Sequence, residues 1–270
     1  EPREEVDAEP QIDRAAELNK EWQVKPGDLW KLGDHRLICG DCTDPAVVER
    51  VMMGEKADLM VTDPPYGVEY DPSWRNEFAE KGLISYAASS IGVVENDGRR
   101  DWTKAYQNIS APVVYVWHDG RYAKTIQQNL EDCGYVIISQ IIWAKPTFAI
   151  SRGDYHWQHE PCWYAVKKGN THNWQGSRRE STLWKIERGC KEKTGHGTEK
   201  PIECMKKPIE NNSSIGQIIA DPFLGSGTTL IACENTGRKC RGIEISPDYC
   251  AVILQRFKDA TGKEPVRING

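Results

Sequence analysis

Residues 217–229 carry the sequence Gln-Ile-Ile-Ala-Asp-Pro-Phe-Leu-Gly-Ser-Gly-Thr-Thr, which joins a short apolar run to a glycine-rich turn. The apolar run at 217–220 predicts a buried strand, and residues 228–235, which are followed closely by Gly237, predict a helix. A corner of this kind directs backbone amides and the positive end of the helix dipole towards whatever binds there. The stretch therefore predicts an α/β sheet with a ligand site at the turn.

The glycine turn lacks the features of two common phosphate-binding loops. A P-loop needs a lysine directly before its Ser or Thr, which Thr228-Thr229 lacks, and a dinucleotide-binding turn needs a third glycine in place of Leu230. Glu244 stands nineteen residues after Gly225, where an acid can bind both hydroxyls of a ribose. The pattern favours a nucleoside cofactor without phosphates, such as S-adenosylmethionine, over an ordinary strand–helix corner.

A second motif, Asp63-Pro64-Pro65-Tyr66, follows a predicted strand at 58–62. The Asp63 carboxylate and the Pro64 carbonyl can each accept one N–H from an exocyclic amine and so draw its nitrogen towards tetrahedral geometry. The prolines fix φ near −65°, and Tyr66 offers a ring on which a flipped base can stack, worth about 1 to 3 kcal/mol. The tetrad therefore predicts a clamp for a target amine; the alternative is a rigid turn.

A third carboxylate follows the predicted strand at 36–39, in the sequence Gly40-Asp41-Cys42. Asp41 could accept a hydrogen bond from the adenine of a nucleoside cofactor. The alternative is an Asx turn or a helix cap before Pro45, and the sequence leaves both interpretations open.

The chain has 270 residues, enough for one large α/β domain. Its net charge is −5, and the eight acidic and three basic side chains of residues 1–21 account for all of it. Residues 167–207 carry eleven basic against five acidic side chains, an excess that suits contacts with phosphates. The charge is therefore compatible with a nucleic-acid partner, although a solvated surface would give the same excess.

The nine cysteines are an odd number scattered over the chain, which indicates reduced thiols and no disulfide framework. Only Cys39 and Cys42 are closely spaced, and no second ligand pair accompanies them, so we expect no metal site. No apolar stretch is long enough to span a membrane, and no signal peptide is evident. These features predict a cytoplasmic protein without a membrane segment.

The two motifs together resemble the DNA amino-methyltransferases, which use S-adenosylmethionine to methylate adenine N6 or cytosine N4. Their order, with the tetrad 158 residues ahead of the turn, is similar to that of the β group. Glu199-Lys200-Pro201 and residues 242–245 are similar to two further motifs of the family. Residues 143–169 resemble phage and prophage modification enzymes, many of which carry a ParB-like domain ahead of the methyltransferase.

This resemblance implies an α/β fold with a Rossmann-like sheet of seven strands, mostly parallel with one antiparallel strand, and circularly permuted. Numbered as in the family, the predicted strands would come along the chain as the third to the seventh, then the first and the second. In chain order they are 36–39, 58–62, 112–117, 135–144, 161–166, 217–220 and 239–245. The tetrad and the glycine turn would still meet at the switch point where ligands bind.

The resemblance also implies roles for individual residues. The catalytic residues would be Asp63, Pro64, Pro65 and Tyr66. The cofactor site would comprise Asp41, Cys42, Asp63, Lys200, Pro201, Asp221, Pro222, Phe223, Gly225, Ser226, Gly227, Thr228, Thr229, Glu244 and Ile245.

We expect an acidic linker or tail at residues 1–24 and a methyltransferase domain at residues 25–270. The domain would contain a polar insertion at 67–110 and a small target-recognition region at about 167–197. Candidate contacts to bases or phosphates in that region are Asn173, Gln175, Arg178 and Arg179. DNA is the expected substrate, and the resemblance leaves room for a homodimer and for a ParB-like domain in a longer protein.

Several functions compete with adenine methylation. The same clamp serves cytosine N4, although Asp at its head favours adenine, and RNA or protein-glutamine methylation would more often begin with Asn. A cytosine-C5 reaction would need a cysteine after the tetrad's strand, whereas Cys162 lies within a predicted strand. A DNA-binding module without catalysis would not need both motifs. We therefore predict an adenine-specific DNA methyltransferase in a bacterial or phage-infected cell.

Overall fold

The computed structural model describes residues 5–65, 101–149, 154–187 and 200–268. Within these ranges the α-helices are α1 (Ala15–Trp22), α2 (Pro45–Met52), α3 (Thr103–Asn108), α4 (Ala123–Asp132), α5 (Ile202–Asn212), α6 (Thr228–Thr236) and α7 (Pro247–Thr261). The strands are β1 (Leu29–Leu32), β2 (His35–Cys39), β3 (Leu59–Thr62), β4 (Val113–Trp117), β5 (Tyr135–Ala149), β6 (Trp157–Lys167), β7 (Leu183–Lys185), β8 (Ile218–Asp221), β9 (Lys239–Glu244) and β10 (Val266–Ile268). No helix in the described ranges is long and apolar enough to cross a membrane.

The strands of these ranges form a single sheet in the order β10-β1-β2-β9-β8-β3-β4-β6-β5-β7. The run from β2 to β4 is parallel throughout, whereas β6 lies antiparallel between β4 and β5. Strands β3 and β4 are buried along their whole length, as expected for parallel strands covered on both faces. The order places β3, which precedes the tetrad, beside β8, which precedes the glycine turn.

The predicted number of seven strands is wrong, because the described sheet has ten. All seven predicted strands are present as β2, β3, β4, β5, β6, β8 and β9. The additional strands have only three or four residues: β1 and β10 extend the sheet beyond β2, and β7 extends it beyond β5. Each of them contains a basic residue, so no continuous apolar run of the kind that marks β3 marks them in sequence. Strand β1 is also antiparallel to its neighbours, so β6 is not alone in its direction.

Helices cover both faces of the sheet. One buried apolar cluster includes side chains of α1, α5, α6 and α7, and the other includes side chains of α2, α3 and α4. The bounds of two helices follow from capping residues: the side chain of Asp44 accepts from the amide of Ala46, and that of Ser246 accepts from the amide of Tyr249. A proline at the first helical position follows each cap, in keeping with its fixed φ.

Part of the acidic amino-terminal segment belongs to the packed fold, which differs from the expectation of a linker or tail. Helix α1 packs against α7, and Leu18 is buried in the core. The side-chain amide of Asn19 donates a hydrogen bond to Asp248 Oδ1 at 2.8 Å. This helix has few apolar side chains, and they pack against the core. Its overall composition therefore gave no indication that it belongs to the packed fold. The domain boundary near residue 24 stays a prediction.

Candidate active site

The candidate site lies where the carboxyl ends of β2, β3, β8 and β9 meet. Asp41, Asp63, Asp221 and Glu244 stand at or directly after the ends of these four adjacent strands. Parallel strands end at one edge of the sheet, so residues far apart in sequence come together there. The edge therefore joins the tetrad to the glycine turn.

A buried hydrogen bond connects the strands that lead into the two motifs. Thr62 Oγ1 donates to Asp221 Oδ1 at 2.6 Å, and the backbone amide of Phe223 donates to the same oxygen at 3.0 Å. Burial raises the pKa of the Asp221 carboxyl from 3.8 to about 6, although these hydrogen bonds oppose the shift. Asp221 therefore fixes the start of the glycine turn against β3 from a position with almost no solvent exposure.

Glycines shape the turn in two ways. Gly225 and Gly227 adopt positive φ values of 56° and 89°, a conformation that favours glycine. Gly242, on β9, provides room for the turn, because a Cβ there would lie 2.4 Å from a methyl carbon of Leu224. The amide of Leu224 also donates to the carbonyl of Ile243 at 2.9 Å, so the turn rests on the end of β9.

Glu244 is held by backbone amides on both of its carboxylate oxygens. Gly225 N donates to Oε2 at 2.8 Å, and Ser246 N donates to Oε1 at 2.9 Å. Each carboxylate oxygen can accept more than one hydrogen bond, so Glu244 could also accept hydrogen bonds from the hydroxyls of a ribose. The geometry suits the nucleoside cofactor expected from the sequence.

Helix α7 supports the glycine turn from behind. The buried Arg256 guanidinium donates to the carbonyl of Ser226 at 3.1 Å and to Thr228 Oγ1 at 3.3 Å. Its other terminal nitrogen pairs with Asp7 at 3.1 Å. Gly227, Thr228 and Thr229 are buried at the start of α6, so the turn and the helix form one packed unit.

The tetrad is described as far as Pro65, and Tyr66 lies outside the described residues. Asp63 is half-buried and Pro64 is buried. The carbonyl of Pro65 accepts a hydrogen bond from Trp102 Nε1 at 3.1 Å, and the Trp102 ring packs edge-on against Phe223 at a centroid distance of 4.6 Å. The buried Trp102 thus contacts the tetrad and the glycine turn at once.

Lys200 brings the segment before α5 to the tetrad. Its ammonium lies 2.5 Å from Asp63 Oδ2 and 2.9 Å from Glu160 Oε2, and it stands 5.3 Å from the centroid of the Trp117 ring. Glu160 also pairs with Lys145. Burial alone would raise the pKa of Glu160, but Lys200 and Lys145 outweigh it and lower the pKa to about 2.

Asp41 forms the Asx turn that was the alternative to an adenine contact. Its Oδ1 accepts from both the amide and the hydroxyl of Thr43 at 2.8 Å, while Asp44 caps α2. Asp41 is exposed at the same edge, and Cys42 is buried with its carbonyl accepting from Asn108. The turn orients this segment at the cleft without excluding a second hydrogen bond to Asp41.

The remaining candidate cofactor residues lie on the same edge. Pro201 caps α5 beside Lys200, and Pro222 is buried between Asp221 and Phe223. The carbonyl of Ile245 accepts from Cys39 Sγ at 3.7 Å. In the ranges that the structure describes, no group of three or more His, Cys, Asp or Glu residues could hold a metal ion.

Two of the four candidate DNA contacts are not brought to the cleft. Asn173 Nδ2 donates to the carbonyl of Asn212, and the backbone amide of Gln175 donates to the carbonyl of Asn211, so both candidates lie by the carboxyl end of α5. Lys200 stands at the opposite end of that helix. These two hydrogen bonds hold Asn173 and Gln175 at the end of α5 that is farther from Lys200.

Arg178 and Arg179 are exposed, so they can still contact DNA. Arg179 also lines a cleft of about 480 Å³ together with Trp184 and Lys207. This cleft carries acidic as well as basic side chains, and Asp63 is not among its lining residues.

No motif in the sequence assigns Trp102 or Arg256 to the site, and for Glu160 and Lys145 the sequence left open whether they orient the target strand or have only a structural role. Each acts through a partner distant in sequence, and no local spacing marks such a pairing. A weak signal was present for Glu160, because a charged residue stood directly before an apolar strand. For Trp102, an isolated tryptophan in a polar segment was the only indication.

Comparison with known proteins identifies a family to which the sequence is similar. A family model described as DNA methylase, of the N6/N4 methyltransferase type, matches residues 57–255. The type II methyltransferase M.HinfI of Haemophilus influenzae is 25% identical over 254 residues, which cover 83% of this chain and 68% of that protein.

Solved structures share the fold. The M1.HpyAVI–SAM complex superposes with a TM-score of 0.59 at 24% identity, covering 81% of this chain and 98% of that one. The cytosine-N4-specific PvuII DNA methyltransferase gives a TM-score of 0.56 at 14% identity, covering 83% and 88% of the two chains. The family model spans well over half of the sequence, and the chain belongs to the N6/N4 family of DNA methylases.

Proposed function

We propose that this chain transfers a methyl group from S-adenosylmethionine to the exocyclic N6 of adenine in DNA. The observation that carries the proposal is the joining of the Asp63 tetrad to the glycine turn at one edge of the sheet. Thr62 and Asp221 connect the two strands at 2.6 Å, and Trp102 contacts both motifs. Amine clamp and cofactor site thus share one cleft.

Glu244 and the glycine turn would hold the cofactor. The Glu244 carboxylate, fixed by the amides of Gly225 and Ser246, would accept the ribose hydroxyls, while Asp41 and Cys42 border the adenine position. Lys200, Pro201 and residues 221–229 would complete the site. When bound, S-adenosylmethionine supplies a methyl group activated by a positively charged sulfur.

Asp63 and Pro64 would prepare the target amine. The Asp63 carboxylate and the Pro64 carbonyl accept one N–H each, which localises the nitrogen lone pair and directs it into the cleft. The nitrogen becomes positively charged as it gains the methyl group, and it then gives up a proton. A carboxylate at hydrogen-bonding distance stabilises that developing charge. Tyr66 would stack on the base once it has left the duplex.

Cytosine N4 is the second candidate target, since its exocyclic amine fits the same clamp. A cytosine-N4-specific enzyme has the same fold, so the fold is compatible with this second target. The aspartate at the head of the tetrad supports adenine, because the resemblance associates serine at that position with cytosine. We therefore propose adenine as the target ahead of cytosine.

We also propose that the sheet is a circularly permuted form of the family sheet. The parallel pairing of β2 with β9, which are close to opposite ends of the sequence, supports this interpretation. The central order β2-β9-β8-β3-β4-β6-β5 corresponds to third, second, first, fourth, fifth, seventh and sixth in the numbering expected from the resemblance. Arg178 and Arg179 are the proposed DNA contacts. A homodimer and a ParB-like domain stay predictions.

The direct test is transfer of labelled methyl groups from S-adenosylmethionine to DNA by the Asp63→Ala variant. We expect a fall in rate of about 100-fold or more, as for loss of a group that acts on the reacting atom. Asp13→Ala, an exposed carboxylate on the amino-terminal segment, is the matched control and should keep the rate. Wild-type activity in Asp63→Ala would refute the assignment.

A further inference from the structure

Four charged side chains form a cluster at the tetrad. Lys200 lies between Asp63 and Glu160, at 2.5 Å and 2.9 Å, and Glu160 in turn lies between Lys200 and Lys145. Two carboxylates and two ammonium groups give this cluster no net charge. Of the four, only Asp63 and Lys200 belong to the motifs identified from sequence.

Glu160 reaches the cluster from a different part of the sheet. Strand β6 runs antiparallel to β4 with Trp117 opposite Cys162, which places Glu160 beyond the carboxyl end of β4. On its other side Glu160 pairs in register with Trp143 of β5. The β5–β6 hairpin therefore extends past the catalytic edge and brings a carboxylate to it.

The Lys200 ammonium is enclosed. Only 4% of its side-chain surface is exposed, against 24% for Glu160, and the Trp117 ring lies on one side. A buried ammonium requires compensating carboxylates, because removal from water is costly. Two carboxylates share that function here, so Asp63 does not compensate Lys200 by itself.

We propose that Glu160 is a positioning residue for methyl transfer. It holds the Lys200 ammonium, and the Asp63 carboxylate therefore stays able to accept a hydrogen bond from an N–H of the target amine. This inference rests on the proposed clamp function of Asp63. Without the Glu160 charge, more of the electrostatic interaction of the Lys200 ammonium would fall on Asp63. Asp63 would then be a weaker and less well oriented acceptor for an N–H.

The test is a double-mutant cycle on the full chain, with Glu160→Gln, Lys200→Met and the double variant assayed for kcat and KM. We expect kcat of Glu160→Gln to fall about 10- to 100-fold, the effect of losing one charge-assisted hydrogen bond, with KM for DNA changed less than about threefold. In the Lys200→Met background, Glu160→Gln should change kcat by less than about twofold, because Glu160 acts through Lys200.

Glu55→Gln is the matched control. Glu55 also lies between two cationic side chains, at 2.8 Å from Arg36 and 2.8 Å from Arg241, but it precedes β3 at the opposite edge of the sheet. This variant should lose stability and keep kcat. Glu160→Asp retains the charge on a shorter side chain, so its kcat should lie between those of Glu160→Gln and wild type.

An unchanged kcat in Glu160→Gln, or an effect that simply adds to that of Lys200→Met, would overturn the inference. If Glu160→Gln does not fold, a wild-type kcat in a folded Glu160→Asp would overturn it equally. Asp63→Ala, assayed in parallel, separates the two proposals. Loss of activity there with full activity in Glu160→Gln rejects only the role of Glu160, whereas full activity in Asp63→Ala rejects the clamp itself.

Discussion

Thr62 donates a buried hydrogen bond to Asp221, with Oγ1 2.6 Å from Oδ1, and so connects two motifs that are 158 residues apart in sequence. Both side chains are almost completely inaccessible to solvent. A buried carboxylate that loses a hydrogen-bond donor is destabilised more than the average hydrogen bond would suggest. This pair therefore affects both the stability of the fold and the alignment of the two motifs.

Replacing Thr62 by valine should lower the free energy of unfolding by about 1 to 3 kcal/mol, because valine has a similar shape but cannot donate to Asp221. Urea denaturation of the two proteins measures the difference. Thr171→Val, at an exposed position, should stay within about 0.5 kcal/mol of wild type. Equal stabilities for Thr62→Val and wild type would mean that the bond contributes nothing.

The raised pKa of Asp221 predicts a pH dependence of stability. With a pKa of about 6 in the folded protein and 3.8 ordinarily, Asp221 holds its proton more tightly in the folded state. Its contribution to stability is therefore present below about pH 4 and is lost as the pH rises to about 6, by at most about 3 kcal/mol.

Asp221→Asn isolates this effect, because all other titrating groups are common to both proteins. Relative to wild type, the asparagine variant should become more stable between pH 4 and pH 7, as measured by denaturation at several pH values. Parallel stability profiles for the two proteins over that range would show that the Asp221 pKa is not raised.

Trp102→Phe should keep the ring packed against Phe223 but remove the hydrogen bond from Nε1 to the Pro65 carbonyl. We expect kcat for methyl transfer to fall about 3- to 10-fold, since one neutral hydrogen bond positions the tetrad. Trp22→Phe removes a comparable indole bond, to Gln255 at 3.1 Å on α7, and should leave kcat unchanged. Equal kcat values in these two variants would argue against a role of Trp102 in positioning.

Glu244→Ala should weaken S-adenosylmethionine binding by about 10- to 100-fold, because the carboxylate would accept the ribose hydroxyls and also anchors Gly225. Isothermal titration calorimetry measures this affinity, and an electrophoretic shift assay should show that DNA binding is retained. Glu264→Ala, which removes an exposed partner of Lys258, is the control. Unchanged cofactor affinity in Glu244→Ala would place the ribose elsewhere.

The sequence predicted the parts of the fold that have strong local patterns. The apolar runs that lead to Asp63 and Asp221 and the helix predicted at 228–235 lie where they were expected, within one or two residues. The short strands β1, β7 and β10 were missed because a basic residue in each interrupts the apolar run. Helix α3 lies in a polar segment that gave no helical signal.

From the sequence, only residues that belong to a recognisable motif could be assigned to the site. Asp63, Gly225 and Glu244 meet because strand order determines where strand ends lie. The contacts of Glu160 with Lys200 and of Arg256 with Ser226 depend on tertiary geometry, which no spacing in one sequence records. Hydrogen bonds place Asn173 and Gln175 beside the carboxyl end of α5, a position that their residue types do not indicate, and their contact with DNA stays a prediction.

The most direct test of the central claim is the identity of the methylated base. DNA incubated with the protein and labelled S-adenosylmethionine would be digested to nucleosides and analysed by mass spectrometry, with Asp63→Ala as the inactive control. The account predicts N6-methyladenine that carries the label and is absent with Asp63→Ala. N4-methylcytosine alone would contradict the adenine assignment, and label in neither base would contradict the proposed reaction.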